Sequence, residues 1–250
     1  MNYKNEFKKY ATMHMGIPST TVDSVIKHQI EGSVTPMVVE EREMRATIIS
    51  VFDRLMMDRT LILNGVVDDR MSTTVNAQLL FLESLDKKRD IIMMIDSGGG
   101  SVKSGLTIYD TINYISPDVS TINTGMCASM ASVLISSGAK GKRSSLIHSK
   151  IMTHMVSHGS QGNVQDTRIN QMEAEKYNYI LFKILAENSG KTFDEIFEIS
   201  RNDKWFNSHE SLQFGLIDEV IGVDKSTPID SRLDGFEEYY MREVLKNKTI

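Results

Sequence analysis

Residues 119–138 read V-S-T-I-N-T-G-M-C-A-S-M-A-S-V-L-I-S-S-G, and the change of character inside this stretch decides the fold. Val119 to Asn123 is rich in β-branched residues and predicts a buried strand. Ala128 to Ser137 is a small-residue segment of helical character, closed by Gly138. Ser129 therefore stands where a strand hands over to a helix. A hydroxyl there is fixed by two rigid elements, and the N–H groups of the first helical turn can stabilise a developing oxyanion. Taken alone, G-x-x-x-S fits a small serine packed at a crowded junction better than a nucleophile.

Working outward, Thr60 to Leu63 and Asp90 to Ile95 read as further strands, with helices near 69–84 and 103–115. Such alternation predicts an α/β fold built from βαβ units with parallel pairing. Ile151 and Met152 form a short apolar strand in K-I-M-T-H-M, which carries His154 near its end. The segment 154–162 is rich in turn residues and gives way to a long helix, about Gln165 to Glu187. Tyr177, Ile180, Leu181, Ile184 and Leu185 recur there at three- and four-residue spacing, which makes one face apolar. Ser189-Gly190 ends that helix. Asp203 lies in S-R-N-D-K-W-F, after a helix rich in Glu and Phe.

Ser129, His154 and Asp203 make up a nucleophile, a general base and an orienting carboxylate. A serine is a poor nucleophile unless an imidazole takes its proton, and the carboxylate fixes the tautomer of that imidazole. The chain order Ser…His…Asp is one of several that triads adopt. Gly98-Gly99-Gly100 follows the apolar strand Ile91 to Ile95, so this turn lets backbone approach a substrate with no Cβ in the way. No G-K-[ST] follows it, which argues against a phosphate loop.

Composition narrows the function class. The chain has 250 residues, 40% hydrophobic and 24% charged, enough for one large domain with a substantial core. A net charge of −5 gives no electrostatic reason to expect nucleic acid. The single cysteine, Cys127, excludes an internal disulfide and suits a reducing compartment; it reads as a small packed residue. M-N-Y-K-N-E-F-K-K-Y at the start has no apolar signal region, and no apolar stretch reaches membrane-spanning length. The expectation is a cytoplasmic protein. His148, His154 and His158 lie close together, but no H-E-x-x-H spacing occurs, and no metal is expected.

The ordered motifs now make a family resemblance specific. P-M-V-V-E at 36–40, A-Q-L-L-F-L-E at 77–83, I-Y-D-T-I at 108–112, P-D-V-S-T-I at 117–122, G-A-K-G-K-R at 138–143 and E-S-L-Q-F-G-L-I-D-E-V at 210–220 resemble segments of ClpP, the proteolytic subunit of the Clp protease. S-G-G-G-S-V at 97–102 is similar to the family's S-P-G-G-S-V, and the Ser-to-His and His-to-Asp intervals of 25 and 49 residues match as well. The resemblance runs from about Pro36 to Ile221. It leaves 1–35 as an N-terminal extension, 36–221 as the peptidase domain and 222–250 as a C-terminal extension.

By resemblance the fold is a crotonase-like ββα superhelix with a protruding strand–helix handle, through which heptameric rings stack as a tetradecamer. The family's oxyanion hole maps to the N–H groups of Gly100 and Met130. A substrate strand adds beside the glycine turn, which brings in Gly99, Ser101 and Val102. The partners implied are a ClpX/ClpA/ClpC-type AAA+ unfoldase and unfolded protein substrates, with no cofactor in this chain and ATP used only by the unfoldase. Four departures stand out. Gly98 replaces the family's proline, Met155-Val156 replaces Q-P after the histidine, and Met94 replaces an aromatic of the unfoldase-docking pocket. Arg201-Asn202 replaces an acidic residue and an arginine that pair between rings, which points to mixed rings with a paralogous ClpP subunit. Two further readings stay open: a weakly active or non-catalytic subunit of a mixed assembly, and a crotonase-type acyl-CoA enzyme.

Overall fold

Burial alternates along Ile91–Ser97, with Ile91, Met93, Ile95 and Ser97 buried and the residues between them half-buried, as befits a strand covered on both faces of a parallel sheet. The computed structural model describes residues 9, 12–13, 18–20, 22, 37–42, 45–157, 159, 162–222 and 236–240. The chain divides into two compact units, 1–62 and 63–250.

In the first unit, β1 (Met37–Arg42) and β2 (Arg45–Ser50) pair antiparallel, with Met37 opposite Ser50. Ser50 then caps α1 (Val51–Met57), its Oγ accepting the Asp53 N–H at 3.0 Å. β3 (Thr60–Asn64) carries the chain into the second unit.

The second unit supplies β4 (Ile91–Ser97), β5 (Val119–Ala128), β6 (Arg143–Leu146), β7 (Lys150–Thr153), β8 (Lys204–Asn207) and β9 (Glu219–Ile221). The sheet runs β3-β4-β5-β6-β9; β7 lies beside β5, and β8 joins β7 antiparallel. Between the strands stand α2 (Asp69–Leu85), α3 (Val102–Tyr114), α4 (Met130–Ser136), α5 (Val164–Ser189), α6 (Phe193–Ser200) and α7 (Ser208–Phe214). Local chemistry sets their ends. Asp68 and Ser101 cap α2 and α3 with side-chain oxygens, Thr192 and Glu195 close a capping box on α6, and left-handed Gly190 ends α5. Leu79, Leu82, Ile108, Leu134 and Phe182 are buried in the core, and all seven residues of α4 are buried.

Three details differ from the sequence expectation. Strand β5 continues through Ala128 rather than stopping at Asn123. T-G-M-C-A carries little β propensity, and tertiary pairing supplies the strand instead: Thr121–Asn123 pair with β6, whereas Met126–Ala128 pair with β7. On α5, Leu181, Phe182, Ile184 and Leu185 are buried, but Ile180 faces outward. Residues 164–173 of that helix are all exposed, Val164 and Met172 included, so its first half projects, as the handle's helix would. Of the handle's strand, the described residues 155–157, 159 and 162 carry no strand within the single chain. His158 and most of 1–35 and 222–250 lie outside the described residues; within the last, Phe236–Tyr239 form a single turn, α8.

One buried ion pair ties this end of the sheet together. The Arg143 side chain is 1% exposed. It donates from Nε to Asp218 Oδ2 at 2.8 Å and from Nη2 to Oδ1, while Nη1 reaches the Asn188 carbonyl at 2.8 Å. Burial pushes the Asp218 carboxyl up, but the hydrogen bonds and charge of Arg143 outweigh it and hold the group below the ordinary carboxylate range. A folded-state pKa below the unfolded one stabilises the fold at pH values above the unfolded pKa, and the contribution fades as pH falls through the folded pKa. Removing one member of a buried pair costs about 3–5 kcal/mol. Asp218→Asn should therefore lower the unfolding free energy at pH 7 by an amount in that range, and the gap from the unsubstituted protein should narrow below about pH 4. Denaturation curves at pH 7 and pH 3 check both points.

Candidate active site

Two strand pairings bring together residues far apart in the chain. In the parallel β5–β7 pair, Ala128 lies opposite Met152, and the next N–H, that of Ser129, donates to the Met152 carbonyl at 2.9 Å. In the antiparallel β7–β8 pair, Met152 faces Trp205 and Thr153 faces Lys204. One further step in the same register sets His154 against Asp203. All three residues thus sit at the ends of neighbouring strands β5, β7 and β8.

The distances follow from this placement. His154 Nε2 lies 2.9 Å from Ser129 Oγ, and His154 Nδ1 lies 3.5 Å from Asp203 Oδ1. The first is a hydrogen bond; the second is longer than a direct one. The neutral tautomer that suits this arrangement carries its proton on Nδ1, toward the carboxylate, and leaves the Nε2 lone pair for the serine O–H. The His154 side chain is 22% exposed and that of Asp203 64%, so the base is sheltered while the carboxylate remains open to water.

Ser129 adopts φ 56° and ψ −124°, a combination that costs a non-glycine residue of order 1–3 kcal/mol. The bend turns a strand directly into α4. Ser129 makes no side-chain cap to α4, and its carbonyl accepts from Ser132 N–H at 2.9 Å and from Ser132 Oγ at 2.7 Å. Its hydroxyl is thereby left to His154.

The glycine turn abuts this bend. A Cβ on Gly99 would lie 2.6 Å from the Ala128 carbonyl oxygen and 2.7 Å from Ser129 Cβ, so only glycine allows the approach. Gly99 N–H donates to Ser97 Oγ at 3.0 Å, and that hydroxyl donates to the Gly65 carbonyl. Val67 bridges to Gly100: its N–H reaches the Gly99 carbonyl at 2.9 Å, and its carbonyl accepts the Ser101 N–H at 2.7 Å. Such a parallel bridge uses the groups flanking Gly100, and Gly100's own N–H points to the other side. Met130 occupies the first position of α4, where a helix has no carbonyl of its own to offer the N–H.

Gly100, Ser129, His154 and Val102 line one cavity of about 160 Å³, closed by Val133, Val156, Leu181, Phe182 and Leu185. Of the residues expected to bind substrate, Val102 is part of this wall. Gly99 packs on the bend, and Ser101 caps α3. The sequence reading missed the apolar wall. Leu181 and Leu185 were visible only as part of a helical stripe, which does not say what that stripe faces. Cys127 is buried, with its Sγ 3.7 Å from the Ile95 carbonyl, and burial pushes its thiol well above the ordinary value, so it is no thiolate at neutral pH. Among the described residues no group of three or more His, Cys, Asp or Glu side chains could hold a metal ion, and no helix is long and apolar enough to cross a membrane.

The sequence model of the family described as Clp protease matches residues 41–224. An ATP-dependent Clp protease proteolytic subunit of Bacteroides fragilis is 47% identical over 217 residues, covering 87% of this chain and 98% of the relative. Proteins of the same description from Bacteroides thetaiotaomicron and Porphyromonas gingivalis are 46% and 42% identical, each over 87% of this chain and over 98% and 97% of their own lengths. A match of this extent, on a parallel sheet whose strand ends gather a serine, a histidine and an aspartate, places the chain in the Clp protease family.

Proposed function

We propose that this chain is the proteolytic subunit of an ATP-dependent Clp protease, a serine endopeptidase acting on unfolded polypeptides in the cytoplasm. The observation that carries the reading is the 2.9 Å contact between Ser129 Oγ and His154 Nε2, with Asp203 on the far side of the imidazole. In this mechanism His154 takes the hydroxyl proton as Ser129 Oγ bonds to the scissile carbonyl carbon. Asp203 stabilises the imidazolium and its orientation. The N–H groups of Gly100 and Met130 receive the oxyanion, each such donor contributing about 3–4 kcal/mol to the barrier reduction. Collapse of the tetrahedral adduct passes the proton from His154 to the leaving amine. Water, activated by the same base, then releases the acyl group from Ser129.

The cavity of about 160 Å³ beside Ser129 is lined largely by apolar side chains, which suits a medium-sized apolar residue on the acyl side of the cut bond. Main-chain pairing of a substrate strand beside the glycine turn leaves the remainder of the peptide sequence-tolerant. Gly99 and Ser101, whose backbone groups already bond Ser97, Val67 and Gly105, shape that turn, and Val102 contributes to its wall. Selection then falls to a separate AAA+ unfoldase, which uses the ATP. Turnover of a leucine-terminated fluorogenic peptide by the assembled protein tests the chemistry. Ser129→Ala and His154→Ala should each lower it by at least about a thousandfold. Gly100→Ala, whose Cβ would lie 2.3 Å from the Val67 carbonyl oxygen, should lower kcat by about a hundredfold through loss of one oxyanion donor. Turnover undiminished in Ser129→Ala would contradict the reading.

The same reading places the chain in heptameric rings that stack in pairs. Arg201 pairs locally with Glu198 at 3.3 Å, and Asn202 follows it, so this segment offers cationic and neutral groups where an acid–arginine pair would join two rings. Mixed stacking with a paralogous ring that keeps the acid and arginine follows from that mismatch. Native mass spectrometry at moderate salt should give single rings for this chain alone and double rings once such a paralogue is added. A stable tetradecamer of this chain alone would remove the case for mixed stacking.

A further inference from the structure

Beyond Thr153 the chain leaves the sheet, and residues 154–157 carry no strand. The base is therefore anchored by a ladder on its N-terminal side only. On its other side, the Val156 N–H donates to Asn178 Oδ1 at 2.7 Å. Asn178 is half-buried on α5, in the turn before the segment 181–186 that packs into the core.

Val156 separates two cavities. One is the space of about 160 Å³ that holds Ser129 and His154; the other, of about 550 Å³, is lined by Met155, Tyr179, Phe193 and Phe197 among others, and Val156 and Phe182 line both. A side chain with open space behind it forfeits packing contacts on that side. The Asn178 hydrogen bond thus supplies a constraint that packing does not.

We propose that Asn178 is a positioning residue for the base: its carbonyl oxygen pins Val156 and thereby fixes the backbone on which His154 reaches Ser129. This rests on the serine peptidase reading above. A misplacement of about 1 Å far from the chemistry can cost on the order of a hundredfold in rate, so one hydrogen bond two residues from the base has a measurable effect. The inference also ties the catalytic bond to the helix whose first half projects from the body.

The test is the rate at which a compact fluorophosphonate, with no side chain to fill the apolar cavity, phosphonylates Ser129 in the full-length assembled protein, followed by intact mass. Asn178→Ala should label at least about tenfold more slowly than the unsubstituted protein. Asn178→Asp, which keeps an acceptor oxygen at the same reach, should label within about threefold of it, while a purely structural role would lower thermal stability and leave the rate per folded subunit unchanged. Should Asn178→Ala not assemble, Asn178→Gln, which moves the oxygen by one methylene, takes its place with the same expected loss. Labelling at the full rate in Asn178→Ala or Asn178→Gln, or equal loss in Asn178→Asp, would overturn the proposal. Absence of labelling in the unsubstituted protein would instead remove the serine peptidase reading on which it rests.

Discussion

Strand β7 is paired on both sides, parallel to β5 and antiparallel to β8, and the geometry of the site depends on this double pairing. Because backbone ladders repeat at fixed spacing, register converts sequence position into spatial position with little freedom left over. Ala128 opposite Met152 and Thr153 opposite Lys204 leave one place for each of the next residues, and those are Ser129, His154 and Asp203. A slip of one residue in either pair would turn every side chain to the other face. The buried faces of Ile151, Met152 and Phe206 oppose such a slip, so the hydrophobic effect acting on a few strand residues also holds the functional register.

Around that register the backbone is bent where a side chain has to be presented. Ser129 sits at positive φ between strand and helix, and the turn at Gly99 and Gly100 closes against it to within contact distance. Backbone strain at Ser129 is offset by α4, which is buried along its whole length. The result is a hydroxyl within hydrogen-bond distance of an imidazole, beside the glycine turn. The pair Arg143–Asp218 lies at the opposite end of α4's packing environment and acts on stability: it links β6, the approach to β9 and the carbonyl that ends α5.

Legibility in the sequence followed how local each feature is. Strand β4, helices α2 and α3 and the stop at Gly190 were readable because their causes, β-branched runs, capping residues and a left-handed glycine, lie within a few residues of the effect. The extension of β5 through Ala128 was not, since T-G-M-C-A has no strand signal and borrows its order from β7. Periodicity put Ile180 on an apolar face without saying what that face meets, and Ile180 is exposed although Leu181 and Phe182 beside it are buried. The grouping of Ser129, His154 and Asp203 was read from motif and resemblance; β8 buries only Phe206 fully, too faint a pattern to reveal its pairing with β7. Asn178 gave no sequence signal at all, because a polar residue on a mostly exposed helix declares nothing about the backbone N–H it accepts.

The most direct test is a crystal structure of the assembled protein after phosphonylation of its reactive serine. The account predicts a covalent bond to Ser129 Oγ and a phosphonyl oxygen within about 3 Å of both the Gly100 and Met130 N–H groups, with His154 still facing Asp203. Attachment at another residue, or a phosphonyl oxygen directed away from the glycine turn, would contradict it.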